Sequence, residues 1–220
     1  MLEIKDGKNK LNEYFFATIR DEEHSVAWKC KRIAYFLQLG VDINAKDEGG
    51  NTPLFFAKKA EVVEYLVKNG AEINIKNNHS VSPILFQINK DDNYEVIKKM
   101  VEKGADIDDK DEKGWTGLMY AVAYNRVDMV DFLIDLGANI EEKDKSGQTA
   151  LCKAVLFEVE DCVKVLIARG ADEWAKDNRG LSIYYDLASR DMNRVIFDAV
   201  RDRITDEECK KINLMSEGRG

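Results

Sequence analysis

The sequence predicts an all-α solenoid of stacked helix–turn–helix repeats joined by β-hairpin-like finger loops. Three observations carry this. Glycines Gly40, Gly70, Gly104, Gly137 and Gly170 recur at spacings of 30, 34, 33 and 33 residues, each closing an apolar helical pattern such as Tyr65-Leu66-Val67 or Val165-Leu166-Ile167. A polar turn follows in register: Asp47-Glu48-Gly49-Gly50, Asp111-Glu112-Lys113-Gly114, Asp144-Lys145-Ser146-Gly147 and Asp177-Asn178-Arg179-Gly180, with a looser Asn77-Asn78-His79-Ser80. A helix start then follows each turn, and both prolines of the chain, Pro53 and Pro83, fall at this one slot. A fixed period of this length marks repeat architecture. No such unit buries its apolar face alone, so stability comes from stacking.

The elements follow in order. Each glycine supplies the left-handed backbone that ends a helix. The next helix opens on Thr52, Ser82, Thr116, Thr149 or Ser182, whose hydroxyls suit the free amides of a first turn. Proline fits the following position because its missing N–H has no helical partner there. These marks divide a single domain, 1–220, into an N-terminal capping unit (11–46), repeats at 47–76, 77–110, 111–143 and 144–176, and a C-terminal capping unit (177–214). Residues 11–19 and 26–39 read as the first helix pair, and 182–190 and 192–201 as the last. Thr205-Asp206-Glu207-Glu208 is a capping-box pattern that could open a short extra helix. The unit beginning at 47 is about three residues short around Lys58-Lys59-Ala60, which predicts a clipped helix–helix turn, and the next carries an extra residue near Asp91-Asp92-Asn93.

Thr52-Pro53-Leu54-Phe55-Phe56-Ala57 and its equivalents resemble the ankyrin-repeat motif Thr-Pro-Leu-His-x-Ala, followed by a second helix and Gly-Ala-Asp. The resemblance is strong from about residue 42 to 180. The motif histidine is absent from every copy, with Phe55, Leu85, Met119, Cys152 and Tyr185 in its place, so the chain resembles a divergent member. The resemblance implies two antiparallel helices and a sideways finger per unit, and binding through finger tips and first helices. Carried over by position, the turn slots include Glu112, Lys113 and Trp115, then Lys145 and Gln148, then Asn178 and Arg179. The helix slots include Lys59, Lys90, Tyr124 and Phe157. Trp174 stands where other units carry Asn44, Asn74, Asp108 or Glu141. Trp115, Tyr124, Phe157 and Trp174 are large rings where a solvated face would suffice, and such rings are enriched at binding hot spots. Phe56, Phe86 and Tyr120 fall at a slot expected to face inward.

The net charge of −8 argues against a nucleic-acid or membrane-surface binder, both of which need a basic footprint. There is no apolar run long enough to span a bilayer. Between residues 101 and 150, 12 acidic residues face 6 basic ones. Asp108, Asp109, Asp111 and Glu112 fall at one finger, and Glu141, Glu142 and Asp144 at the next, an arrangement that serves either a solvated face or a basic partner.

Cys30, Cys152, Cys162 and Cys209 form no CxxC pair and lie near neither His24 nor His79 in sequence. Reduced, mostly buried thiols in a cytoplasmic monomer are expected, with no metal. No phosphate loop, nucleophile elbow or HExxH is present, so no catalytic residue and no cofactor is expected. The resulting reading is a non-enzymatic protein-binding module. An immunity- or antitoxin-like inhibitor of a basic enzyme is the alternative, and an enzyme or small-molecule binder the remaining class.

Overall fold

The computed structural model describes residues 2–90 and 93–183. The extra residue expected near Asp91-Asp92, Tyr185, Cys209 and the helices expected beyond Ile183 lie outside the described residues. Among the described residues every regular element is helical, so the fold class is all-α, as the repeat pattern predicts. The chain divides into two compact units, residues 1–112 and 113–220.

The first unit contains α1 (Leu2–Arg20), α2 (Val26–Gln38), a single 3-10 turn (Pro53–Phe56), α3 (Ala60–Lys68), α4 (Pro83–Lys90) and α5 (Tyr94–Glu102). The 3-10 turn packs between α1 and α4, and α3 packs between α2 and α5, so first and second helices form two layers. Phe15, Ile33, Leu54, Leu66, Ile84 and Ile97 are fully buried between them. Helix α1 begins well before residue 11, because the periodic apolar pattern visible in the sequence covers only its C-terminal half.

The three-residue deficit expected to clip the helix–helix turn at 58–60 falls instead on the first helix, and the connection keeps the length it has in the other repeats. The first helix of that repeat shrinks to the 3-10 turn, Ala57 is extended at φ −71°, ψ 109°, and α3 starts at Ala60. The hydroxyl of Thr52 caps nothing and lies buried without a partner. The 3-10 geometry explains this, since the Phe55 amide donates to the Thr52 carbonyl at 3.1 Å instead.

The second unit contains α6 (Gly117–Ala123), α7 (Val127–Asp135), α8 (Ala150–Leu156) and α9 (Glu160–Ala168). Helices α6 and α8 pack side by side, as do α7 and α9. Thr116 accepts from the Met119 amide and Thr149 from the Cys152 amide, as the sequence leads one to expect of N-caps.

The fingers are shaped by Asx turns, in which a side-chain oxygen replaces a backbone acceptor. Oδ1 of Asp144 accepts from the amides of Ser146 (2.8 Å) and Gln148 (2.9 Å). Asp47 and Asn77 do the same in the first unit, and Asp177 in the second. Gly147, with φ +77°, closes the turn beneath Asn178, so closely that a Cβ would lie 2.4 Å from Asn178 Oδ1.

One further expectation is corrected. Phe56, Phe86 and Tyr120 are half-buried rather than core. The inward position is the preceding one, where Phe55, Leu85 and Met119 are at most 2% exposed. Among the described residues, the side chains that replace the motif histidine, Phe55, Leu85, Met119 and Cys152, therefore serve as core.

Candidate protein-binding surface

Four ring-bearing residues of the second unit, Trp115, Tyr120, Tyr124 and Phe157, come together along two neighbouring first helices. Tyr124 and Phe157 are the C-cap residues of α6 and α8. They remain 57% and 45% exposed. After each, the chain turns through a left-handed residue, Asn125 (φ 51°) or Glu158 (φ 57°), before the second helix begins. Trp115 lies between, its ring centroid 6.1 Å from Phe157 and 5.1 Å from Tyr120. Tyr120 in turn stacks on Tyr124 at 6.2 Å. Three of the four rings expected at the surface thus form one cluster. Its fourth member is Tyr120, which the sequence pattern assigns to the core. A signal for its place in the cluster exists, since Tyr120 lies four residues before Tyr124 and so on the same helical face.

Beneath Trp115 lies a charge. Lys153 Nζ sits 4.6 Å from the Trp115 ring centroid and 2.6 Å from Asp144 Oδ2. It also donates to Gln148 Oε1 at 2.8 Å. Half-buried Gln148 and buried Asp144 are thus both engaged by Lys153. Asp144 falls among the finger acids by position, but its side chain is 2% exposed and belongs to the interior. Asp109 is similarly engaged, pairing with Lys76 at 2.6 Å.

The remaining candidates lie along the fingers. Glu112 is exposed in the first unit, and Lys113 and Lys145 are exposed in the second. The Lys113 ammonium lies 5.8 Å from the Trp115 ring centroid, and the Lys145 amide donates to the Lys113 carbonyl at 3.2 Å. Asn178 donates from its backbone to Ser146 O (3.0 Å) and from its side chain to Lys145 O (2.8 Å), holding two fingers together. Arg179 is exposed and pairs with Asp177 at 2.7 Å. Trp174, 40% exposed, stands on the loop after Gly170. In the equivalent slot, Asn44 accepts from the Glu72 amide and Asn74 from the Asp106 amide, each holding the next loop. An indole carries a donor and no acceptor, so Trp174 cannot repeat that bond.

The two histidines sit in turns. His24 stacks on Trp28 with centroids 3.9 Å apart and its Nδ1 lies 3.0 Å from Asp21 Oδ2, while His79 sits exposed at a finger tip. Cys152 and Cys162 are buried free thiols, and burial pushes Cys162 up to about 11. Among the described residues no group of three or more His, Cys, Asp or Glu is placed to hold a metal ion. Nor is any described helix long and apolar enough to cross a membrane.

The two-layered units with Asx-turn fingers define a class, the helical repeat built to stack. Sequence profiles sharpen this: residues 49–78 match an ankyrin repeat and residues 85–177 match three further copies. The chain belongs to the ankyrin-repeat family. It is similar to the potassium channel AKT2/3 of Arabidopsis thaliana, at 31% identity over 101 residues. That match covers 46% of this chain and 13% of the channel, so it concerns a small part of the channel's length. Among solved structures, the ankyrin repeat domain of Bcl-3, a unique member of the IkappaB protein family, aligns with TM-score 0.70 and 24% identity over 78% of this chain and 77% of its own. An ankyrin repeat domain from Acinetobacter baumannii AYE aligns with TM-score 0.70 and 23% identity over 87% of this chain and 97% of its own. At these identities the likeness shows the fold alone. Ankyrin repeats are generally protein–protein interaction modules, and the fold is typically a non-enzymatic scaffold.

Proposed function

We propose that the chain is a non-enzymatic module, monomeric and cytoplasmic, that captures a protein partner through its first-helix face and finger tips. In the second unit Trp115, Tyr124 and Phe157 act as anchors, with Tyr120 completing their surface. Lys113, Lys145, Gln148, Asn178 and Arg179 frame it, and Trp174 extends it along the loops. The observation that carries this reading is the contiguity of the ring cluster. Single exposed apolar side chains are ordinary, whereas a joined patch calls for a use. Rings of this kind also supply large contact area for little lost conformational freedom.

The inhibitor form, an immunity- or antitoxin-like protein that occludes a basic enzyme, draws on the net charge of −8. With Asp144 paired to Lys153 and Asp109 to Lys76, less of the finger acidity is left for a basic partner, so general protein capture ranks first. The test is the double substitution Trp115→Ala, Tyr124→Ala. Partner capture should fall at least about tenfold while the thermal unfolding transition stays cooperative. Unchanged capture by a folded variant refutes this surface.

A further inference from the structure

The first unit carries a feature of opposite character. Where the shortened repeat lacks its helical turn, two hollows open on either side of the Lys58–Glu22 ion pair. One, of about 540 Å³, is walled by Asp21, His24, Lys29, Lys59 and Asn93. The other, of about 240 Å³, is walled by Arg20, Phe56, Phe86, Gln87 and Lys90. The backbone around the gap is satisfied without filling it. Gln87 donates to the carbonyls of Phe55 (2.8 Å) and Ala57 (3.3 Å), and Asn93 to that of Lys58 (2.9 Å). The notch is thus a finished surface with its own caps.

Its charges are unevenly matched. The carboxylates are engaged. Asp21 accepts from the His24 amide (2.8 Å) and contacts the ring nitrogen, and Glu22 pairs with Lys58. Among the described residues that line the hollows the cations are in surplus. Among the described residues no carboxylate pairs with Lys59 or Lys90. Lys29, 3% exposed, gives its ammonium to the Asp21 carbonyl oxygen. The floor of the smaller hollow is aromatic, with Phe56 and Phe86 centroids 6.1 Å apart, Arg20 3.8 Å over Phe56 and Lys90 5.3 Å over Phe86.

We propose that this notch seats an acidic segment of a partner protein, with its carboxylates against Lys59 and Lys90 and an apolar side chain over Phe56 and Phe86. The inference rests on the reading of the chain as a protein-binding module, but not on the ring cluster of the second unit. Exposed lysines select for charge more than they add affinity. The aromatic floor supplies the apolar contact that holds the segment, and Lys59 and Lys90 discriminate against basic sequences.

The test is selection of short random peptides, displayed on phage, against the full chain carrying Trp115→Ala and Tyr124→Ala, which removes the other surface. The same selection follows with Lys59→Glu and Lys90→Glu added. Clones enriched in Asp and Glu beside Leu or Phe are expected, with capture at least about tenfold weaker on the charge-reversed protein. Neutral or basic clones, or capture unmoved by charge reversal, overturn the proposal. So does capture displaced by inorganic phosphate and indifferent to the apolar residue, which would mean a small-oxyanion site only. Thermal unfolding checks both proteins, and Lys59→Gln with Lys90→Gln replaces the reversal if that variant fails to fold. Because the ring cluster is already removed, failure here does not bear on the surface formed by Trp115 and Tyr124.

Discussion

Lys153 Nζ lies 2.6 Å from Asp144 Oδ2, with the two side chains 7% and 2% exposed. The pair ties a helix to a finger. Asp144 shapes the turn through the amides of Ser146 and Gln148, and Lys153 projects from α8 to neutralise it below the Trp115 ring. A surface that presents Trp115 is therefore set by an ion pair that no partner would touch. Removing one member of a buried pair leaves an uncompensated charge, at a cost of about 3–5 kcal/mol. Lys153→Ala should destabilise by that order in urea unfolding and shift the Trp115 emission. The double variant Lys153→Met, Asp144→Asn should recover much of the loss, because it removes both charges and keeps an acceptor for the turn. Equal destabilisation by the single and double variants would mean that the pair is not coupled.

Gln87 is buried and donates to two carbonyls that the missing helical turn leaves free. Gln87→Ala should cost roughly 1–3 kcal/mol through those unsatisfied acceptors. Asn89, exposed two residues further along the same helix, is the control, and Asn89→Ala should change stability little. The measurement is the urea midpoint of each variant. Equal shifts at the two positions would mean that the Gln87 bonds contribute nothing beyond the helix itself.

How far the sequence reaches differs between backbone and site. The glycine period and the Thr116 and Thr149 caps are local chemistry repeated in register, so they are readable from the chain. Tyr120 is harder, because neighbouring residues on a helix point about 100° apart. A one-residue choice between Met119 and Tyr120 decides which is core. The Lys153–Asp144 pair joins two elements, and nothing local announces it. One further repeat is legible once the fingers are seen to stack. A lysine precedes every turn, at Lys46, Lys76, Lys110, Lys143 and Lys176. Lys46, Lys76 and Lys143 donate to the carbonyls of Lys76, Lys110 and Lys176, bonding finger to finger.

The finger and helix-end glycines should respond differently to the same substitution. Gly170 and Gly147 have φ of +90° and +77°, but a Cβ on Gly170 meets nothing within 4 Å, whereas one on Gly147 meets Asn178 Oδ1 at 2.4 Å and its backbone nitrogen at 2.6 Å. Gly170→Ala should cost about 1–2 kcal/mol, from left-handed backbone alone. Gly147→Ala should cost more and should weaken the Asn178 clamp, which amide hydrogen exchange at Asn178 would report. Equal losses at the two sites would argue against a close approach.

Burial raises Cys162 from 9.0 to about 11, with Asp161 adding to the shift. Since the thiolate is the reactive form, its population near neutral pH should be about a hundredfold below that of a free thiol. Mass-spectrometric labelling with a thiol reagent should leave Cys162 unmodified in the folded chain and modify it fully in urea. Fast labelling without unfolding would place the thiol at the surface.

Acid should act on the last described finger through Asp177. Burial raises this carboxyl, but the Leu181 amide, the Arg179 guanidinium and the Arg179 amide outweigh it, so the group titrates below its ordinary 3.8. A folded value below the unfolded one contributes stability that is present above pH 3.8 and lost as pH falls through the lower folded value. Asparagine already performs the turn role at Asn77, where Oδ1 accepts from His79 and Val81 at 2.9 and 3.0 Å. Asp177→Asn should therefore keep the finger shape while losing the charge. Melting temperatures of the two proteins should differ above about pH 4 and converge in stronger acid. A difference that persists unchanged through the acid range would assign the contribution of Asp177 to shape alone.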